Sequence, residues 1–300
     1  MTRHLIIGTR GSRLALIQTG LVADALRKLD PKLAIKVKTI VTKGDTNTAP
    51  IPLDTIGKAW FTAEIEQALT NGEIDLAVHS LKDIPPEAPA GLVHLPVLER
   101  ADPRDVLVSK TGAKLAGLPH GALIGTDSLR RTALLLHYRT DLRVESVRGN
   151  VETRLRKLET DAYDAIILAA AGLERLGRLH EVTEFLDPAT FVPATGQGVL
   201  SVEIAAGNQQ LLDLVKQLQH APTLAAVEAE QAFTGIIGGG CKLPIGCYAN
   251  ISHNWISINA VIGSGDARTA TIDSTEGPAA QALALAQTLA HQLRAAEMKA

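Results

Sequence analysis

One thiol in the sequence stands out because of the backbone around it. Cys241 follows three glycines in GGGCKLPIG, residues 238–246. Glycine leaves a loop open to the close approach of another molecule, so a buried structural thiol is the less favoured interpretation. A thiolate at this place could act as a nucleophile or carry a cofactor. A zinc site is not indicated, because Cys247 is the only other cysteine and the sequence has neither a CxxC motif nor a nearby histidine.

A second group of reactive residues follows the apolar run at 74–80. Lys82 and Asp83 are adjacent in HSLKDIPP (79–86), which leaves the carboxyl end of a predicted buried strand. Open parallel sheets bind their ligands at this end of their strands. A surface ion pair in an ordinary turn is the alternative interpretation. In a ligand cleft, the Asp83 carboxylate could instead stabilise a developing cation or move protons.

Three turns, GTRGS (8–12), GTDSLRR (125–131) and RGNVETR (148–154), each join a predicted strand to a predicted helix. Free N–H groups and the positive dipole end of a helix attract anions at such turns, and arginine adds two-point binding of carboxylates or phosphates. Residues 130–178 contain nine arginines and one lysine against seven acidic residues, which favours an anion-binding region over a solvated helix face. The arginines of the three turns are Arg10, Arg130, Arg131, Arg148 and Arg154.

The composition narrows the class of function. The 300 residues are 46% apolar and 21% charged, which is typical of a soluble globular protein. Aromatic residues make up only 3% and the net charge is −2, so nucleic acid is not the expected anion. No stretch approaches the roughly 18 apolar residues of a membrane span, and the N-terminus lacks a signal-peptide pattern. Two cysteines cannot form a disulfide framework, which indicates the reducing cytoplasm.

The elements that must position these residues alternate between strand and helix patterns. Strands are predicted at 4–8, 34–41, 74–80, 122–126, 143–147 and 199–204, helices at 12–29, 62–72, 128–138 and 151–159, and a strand running into a helix at 164–177. This order predicts mostly parallel sheets covered by helices. Residues 43–60 interrupt the pattern and are predicted to form a mobile lid that contains Lys58.

The end of the chain has a different pattern. A helix is predicted at 221–236, three strands joined by short turns at 247–252, 255–262 and 267–275, and a final helix at 278–296. We therefore predict an α/β protein with two lobes, each with helices on both faces of its sheet, and a small α+β C-terminal domain with a three-stranded antiparallel sheet. The predicted domains are 1–98 plus 199–217, 104–192, and 221–300, with the strand at 199–204 crossing back to the first domain.

Taken together, these motifs resemble the porphobilinogen deaminase (hydroxymethylbilane synthase) family over essentially the whole chain. The motifs are IGTRGSRLAL (7–16), AVHSLKDIP (77–85), GTDSLRR (125–131), RGNVETRL (148–155), AAAGLERLG (169–177), PATGQG (193–198) and GGGCKLPIG (238–246). The resemblance implies two lobes like those of periplasmic binding proteins and a third domain that carries the cofactor cysteine. It also implies a cytoplasmic monomer.

The chemistry implied by the resemblance is a polymerisation on a covalent primer. A dipyrromethane cofactor is expected on Cys241 through a thioether, and four porphobilinogen molecules are joined to it with loss of ammonia. Water then releases hydroxymethylbilane for haem and other tetrapyrroles. Every pyrrole ring carries one acetate and one propionate, which accounts for an arginine-rich cleft in an acidic protein.

The resemblance also assigns roles to individual residues, with Asp83 as the catalytic carboxylate. Cofactor binding is assigned to Lys82, Thr126, Ser128, Arg130, Arg131, Arg148 and Gly149, besides Cys241. Substrate binding is assigned to Arg10, Ser12, Arg154, Arg175 and Gln197. Four positions depart from the family pattern: Asp127 replaces the usual serine, Gln231 and Gly235 replace arginines, and Gly238 replaces a glutamate.

Two other classes of function share some of these features. A two-lobed binding protein or sensor for small anions would use the same fold and arginines, but it would need neither Cys241 nor Asp83. An acyl transferase with a cysteine nucleophile would need a base, and no histidine lies near Cys241 in the sequence.

Overall fold

The computed structural model describes residues 3–46, 62–85, 88–238 and 243–297. Cys241 and most of the predicted lid at 43–60 lie outside them. The described strands are β1 (Arg3–Thr9), β2 (Leu33–Thr39), β3 (Leu76–Ser80), β4 (Leu92–Val97), β5 (Asp105–Ser109), β6 (Leu123–Gly125), β7 (Arg143–Glu145), β8 (Ala165–Ala169), β9 (Glu184–Phe185), β10 (Leu200–Ala205), β11 (Ile245–Ser252), β12 (Trp255–Gly263) and β13 (Ala270–Pro278). The described helices are α1 (Arg13–Leu29), α2 (Lys43–Thr46), α3 (Ala63–Thr70), α4 (Leu129–Tyr138), α5 (Val151–Thr160), α6 (Ala170–Arg175), α7 (Gln209–Lys216), α8 (Ala221–Ile237) and α9 (Ala282–Glu297).

The chain divides into two compact units, each made of two separate stretches. The first unit is Met1–Ala101 with Gly198–Leu224, and the second is Asp102–Gln197 with Ala225–Ala300. The mixture of sheets and helices confirms the predicted α/β class. The sheets were predicted to be mostly parallel, whereas each five-stranded sheet has two parallel and two antiparallel pairings, because β10 and β5 run against their neighbours. The boundaries of the three predicted domains stay a prediction.

The first unit contains a five-stranded sheet in the order β2-β1-β3-β10-β4. β1 is parallel to β2 and β3, whereas β10 is antiparallel to both of its neighbours. β10 thus lies in the same sheet as the first strands, between β3 and β4. Apolar residues recur at helical spacing in α1, so Val22 and Leu26 are fully buried in one core cluster, while Ile65 and Leu69 of α3 belong to another.

The second unit contains a five-stranded sheet in the order β7-β6-β8-β5-β9 and the antiparallel sheet β11-β12-β13. β6 is parallel to β7 and β8, and β5 is antiparallel to β8 and β9. Leu134 and Leu135 of α4 share a core cluster with Ile124 and with Val261 of the small sheet. The predicted three-stranded antiparallel sheet is confirmed.

Candidate functional site

Strand β3 ends in a single helical turn that carries two of the predicted site residues. Leu81–Asp83 form one turn of 3-10 helix directly after the strand. The side chain of Leu81 is buried, and its backbone N–H donates to the carbonyl oxygen of Val199 at 3.0 Å. This anchoring holds the turn in place while Asp83 stays exposed and Lys82 half-buried.

A cavity of about 70 Å³ in the first unit is lined by Asp83 together with Arg10 and Ser12. Ser12 is the N-cap of α1, where its hydroxyl accepts a hydrogen bond from the first helical turn. Gln18 of the same helix donates from Nε2 to Ser80 Oγ at 2.8 Å, which ties α1 to the end of β3. The structure therefore brings a carboxylate and a guanidinium group from two separate sequence motifs to one cavity.

The two predicted anion-binding turns of the second unit also lead from a strand into a helix. Ser128 caps α4 by accepting from the backbone N–H of Arg131 at 3.4 Å, and Thr126 Oγ1 accepts from the N–H of Ser128 at 3.2 Å. Asn150 caps α5 by accepting from the N–H of Thr153 at 2.9 Å. These caps satisfy one N–H group in each first turn and leave the positive dipole end of each helix in place.

Arg130 and Arg131 both bind Asp105, a residue that the sequence analysis did not single out. Arg130 Nη1 donates to Asp105 Oδ2 at 2.7 Å and to the carbonyl oxygen of Val192 at 2.6 Å. Arg131 donates to Asp105 Oδ1 from Nη2 at 2.6 Å and from Nε at 3.1 Å. Asp105 is completely buried, and both arginines are at least nine-tenths buried. Two guanidinium groups share one carboxylate here, so this cluster retains a positive charge.

Gln197 completes the Asp105 cluster. Its side chain is fully buried, and Nε2 donates to Asp105 Oδ1 at 2.9 Å and to the carbonyl oxygen of Pro103 at 2.7 Å. Burial alone would raise the pKa of Asp105, but the charges and hydrogen bonds of Arg130 and Arg131 lower it below the usual range of a carboxyl group. Burial lowers the pKa of Arg130, against the opposing charge of Asp105.

Strand β11, which follows the GGGC motif in the sequence, packs directly against the arginine cluster. A Cβ atom on Gly246 would lie 2.7 Å from Arg130 Cδ and 2.6 Å from the carbonyl oxygen of Pro193. Only glycine allows this close approach, because real Cβ atoms do not make contacts below 3.0 Å. Three motifs that are distant in the sequence therefore meet at Arg130.

Around the start of α5, Arg148, Gly149 and Arg154 lie close together. Gly149 has a φ of +114°, and a Cβ atom there would lie 2.6 Å from Thr153 Cγ2. Arg154 Nε donates to the carbonyl oxygen of Gly149 at 2.8 Å. Arg148 Nε lies 3.3 Å from Asp127 Oδ2, which connects this turn to the residue before the α4 cap.

Arg175 lies at the end of α6 and is half-buried. Burial lowers its pKa, while the charge of Glu174 acts in the opposite direction. Arg175 and the other predicted site residues from Thr126 to Gln197 belong to the second unit, whereas Arg10, Ser12, Lys82 and Asp83 belong to the first.

A buried polar network crosses the sheet of the first unit, next to the turn that carries Asp83. His79 Nε2 and His94 Nε2 each lie 3.0 Å from an oxygen of Glu203, which is fully buried in β10. Burial alone would raise the pKa of Glu203, but these hydrogen bonds and charges lower it to about 2. An ionised carboxylate only accepts, so both imidazoles donate from Nε2.

Sequence reasoning did not identify Asp105, Glu203 or His94 as structurally important. The sequence contained only a weak indication of buried acids. Glu203 is the single acid in the apolar run VLSVEI, and Asp105 is the first residue of the apolar run DVLVS. A buried acid in such a run needs a partner. The partners are arginines on α4 in one case and histidines on neighbouring strands in the other.

Two further findings concern only the part of the chain that the structure describes. It contains no group of three or more His, Cys, Asp or Glu side chains that could hold a metal ion. None of its helices combines the length and the apolar character needed to cross a membrane.

Comparisons with known proteins match the chain along nearly its whole length. A family model described as "Porphobilinogen deaminase, dipyromethane cofactor binding domain" matches residues 5–213, and one described as "Porphobilinogen deaminase, C-terminal domain" matches residues 224–295. The porphobilinogen deaminase of Brevibacillus brevis is 46% identical over 95% of this chain and 94% of its own. The porphobilinogen deaminase of Roseiflexus castenholzii is 45% identical over 98% of this chain and 96% of its own.

Solved structures with a similar arrangement include a probable amino-acid ABC transporter extracellular-binding protein, ytmK, from Bacillus subtilis. It is 11% identical, covers 73% of this chain and 90% of its own, and has a TM-score of 0.46.

Proposed function

The chain belongs to the porphobilinogen deaminase family, and from this membership we propose that it joins four porphobilinogen molecules head to tail. Each addition releases ammonia, and water finally releases hydroxymethylbilane, a precursor of haem and other tetrapyrroles. The observation that carries the proposal is the cavity shared by Asp83, Arg10 and Ser12. An acid and two groups that can bind carboxylates line this cavity together, which supports the proposal.

We assign the catalytic role to Asp83. Porphobilinogen develops positive charge as its ammonia leaves, and a carboxylate at that place stabilises the charge electrostatically. The Asp83 carboxylate can also accept hydrogen bonds from pyrrole N–H groups. Its rigid turn, held by buried Leu81, keeps the carboxylate at the cavity without further ordering during the reaction.

We propose that three arginines and one serine bind the carboxylates of the substrate. They are Arg10, Ser12, Arg154 and Arg175. Arg10 and Ser12 line the cavity of Asp83, which supports their assignment. For Gln197 we propose an indirect role, because its buried amide binds Asp105 and therefore holds the arginine cluster in position.

The second unit fits a group with several carboxylates. Asp105 balances only one of the two buried guanidinium charges of Arg130 and Arg131, and the first turns of α4 and α5 add two positive dipole ends. When bound, dipyrromethane supplies the pyrrole carbon to which the first substrate ring is joined. The residues proposed to hold its carboxylates are Lys82, Thr126, Ser128, Arg130, Arg131, Arg148 and Gly149.

We propose that the group is attached through a thioether to Cys241. The glycines at 238–240 support this assignment, because a loop without side chains lets a pyrrole approach the sulfur. Cys247 is the alternative thiol, but it is fully buried among apolar residues of the small sheet. We further propose a cytoplasmic monomer that acts without nucleic acid or a membrane partner.

The test is the intact mass of the protein purified from cells that make porphobilinogen. We expect the wild-type chain to weigh more than its translated sequence and to colour with Ehrlich's reagent for pyrroles. The Cys241→Ala variant should have the unmodified mass, and Cys247→Ala, as matched control, should keep the added mass. If the wild-type chain has its unmodified mass, the alternative function of an anion-binding protein is favoured. If only Cys247→Ala lacks the added mass, the cofactor is attached to Cys247 instead of Cys241.

A further inference from the structure

Asp127 stands beside the arginines proposed to bind the cofactor. It precedes Ser128, and Ser128 rather than Asp127 caps α4. The Asp127 carboxylate is therefore not used as a helix cap. Instead Oδ2 lies 3.3 Å from Arg148 Nε, and Oδ1 accepts a hydrogen bond from Ser146 Oγ.

The Asp127 carboxylate lies next to two groups that attract anions. One is the guanidinium group of Arg148, and the other is the positive dipole end of the ten-residue helix α4. A ligand carboxylate that binds Arg148 from this side meets a carboxylate of the protein itself. The side chains of Arg148 and Asp127 are 25% and 31% exposed, so a ligand can reach the pair from solvent.

We propose that Asp127 is a specificity-determining residue: an internal carboxylate that binds Arg148 and competes with carboxylate-bearing ligands. This proposal rests on the proposed function only in naming the ligand class as carboxylates. The competition weakens the binding of every ligand that needs Arg148. It favours ligands with several carboxylates, because these keep other arginine contacts while they displace Asp127.

The competition should change the affinity only by a small factor, since an ion pair that solvent partly reaches is weak. We expect Asp127→Asn to tighten the binding of a carboxylate ligand about two- to five-fold, the range that follows from exposed ion pairs. Asp127→Ser, which restores the residue usual in the family, should have the same effect. Both substitutions leave the Ser128 cap in place, so the fold is retained.

The matched control is Glu145→Gln, in the same unit. Glu145 lies 3.3 Å from Arg143, the same distance as in the Asp127 pair, and the substitution removes the same charge. The two side chains of this pair are 55% and 66% exposed, and neither residue is proposed to bind a ligand. The control therefore separates a general charge effect from the loss of one partner of Arg148.

The experiment is a titration with glutarate, a simple dicarboxylate, in the Cys241→Ala background, where no covalent group competes for the arginines. The Arg148 Nε–H signal in the NMR spectrum, assigned with Arg148→Lys, reports both the ion pair and ligand binding. We expect this signal to shift in Asp127→Asn before glutarate is added, and glutarate to bind two- to five-fold more tightly. Glu145→Gln should change neither quantity.

Two results would overturn the proposal. Unchanged or weaker glutarate binding in Asp127→Asn and Asp127→Ser would mean that Asp127 positions Arg148 for the ligand or has no effect on it. If Glu145→Gln binds glutarate more tightly by the same factor, the effect comes from the change in net charge and not from Asp127. Failure of the proposed function would be detected by a different measurement, the unmodified mass of the wild-type chain. The glutarate titrations compare variants in the same Cys241→Ala background, so they test Asp127 whether or not the proposed function is correct.

Discussion

Substitution of Asp105 by asparagine tests the arginine cluster most directly. Asparagine keeps the size and one carbonyl oxygen of the side chain but removes its charge. Arg130 and Arg131 then remain buried without the carboxylate that each of them binds at 2.6–2.7 Å. We expect a large fall in the free energy of unfolding, because a buried guanidinium group needs a partner.

The magnitude follows from the burial of all three groups. Asp105 is fully buried and both arginines are at least nine-tenths buried, so solvent cannot replace the lost partner. Removing one member of a buried ion pair costs about 3–5 kcal/mol. This is a large part of the roughly 5–15 kcal/mol by which a typical domain is stable, so the variant should be marginally folded.

The assay is equilibrium unfolding in urea at pH 7.5, followed by far-ultraviolet circular dichroism. Asp141→Asn is the matched control, because it also removes a carboxylate that binds an arginine in the same unit. The side chains of that pair are 17% and 21% exposed, so solvent can partly replace the lost partner and the loss should cost less than in Asp105→Asn. The Asp105→Asn variant should also carry a smaller fraction of covalent pyrrole, since Arg130 and Arg131 are proposed to hold the cofactor.

If Asp105→Asn loses less than about 1 kcal/mol of stability, the range of exposed pairs, Asp105 does not stabilise the fold as a buried partner of the two arginines. Such a result would mean that water or another group satisfies the two arginines. A loss of stability with a normal fraction of covalent pyrrole would keep the structural role of Asp105 and remove its link to the cofactor.

Three further predictions concern catalysis, pH and packing. Asp83→Asn should nearly abolish hydroxymethylbilane formation while mass spectrometry still finds the pyrrole, and wild-type rates would contradict its catalytic role. Glu203, with its pKa lowered from 4.5 to about 2, should stabilise the fold by about 3 kcal/mol at pH 7. The advantage over Glu203→Gln in urea should shrink as the pH falls from about 4.5 towards 2, because the unfolded chain takes up the proton first; a constant gap would contradict this. Gly246→Ala, which forces a Cβ against Arg130, should lower the stability by about 1–3 kcal/mol in calorimetry, whereas Gly265→Ala, with nothing within 4 Å, should change it little.

Local patterns in the sequence were sufficient for the class of fold. Apolar residues at helical spacing predict α1 and α4, and short apolar runs predict β1, β3 and β8. The strands β4 and β5 and the helix α7 were not predicted. β4 contains Pro96, which disfavours a strand, and β5 follows a turn-like stretch, so only pairing with neighbouring strands defines them.

The turns that carry the candidate site were also readable from the sequence, because the side-chain oxygen of a serine or asparagine before a helix accepts a hydrogen bond from a backbone N–H of the first helical turn. Ser12, Ser128 and Asn150 all act in this way. Aspartate and serine are both good caps, and the structure shows that Ser128 rather than the adjacent Asp127 caps α4. The departure at Asp127 was visible in the sequence, but its contact with Arg148 was not.

The sequence by itself determined the alternation of strands and helices and the motifs that place the chain in its family. Only the tertiary structure decided which charges meet: Asp105 with two arginines on α4, and Glu203 with histidines on two other strands. The physical reason is that periodicity and capping act between residues a few positions apart. A buried charge is satisfied by whichever group the folded backbone brings to it, and that group lies far away in the chain.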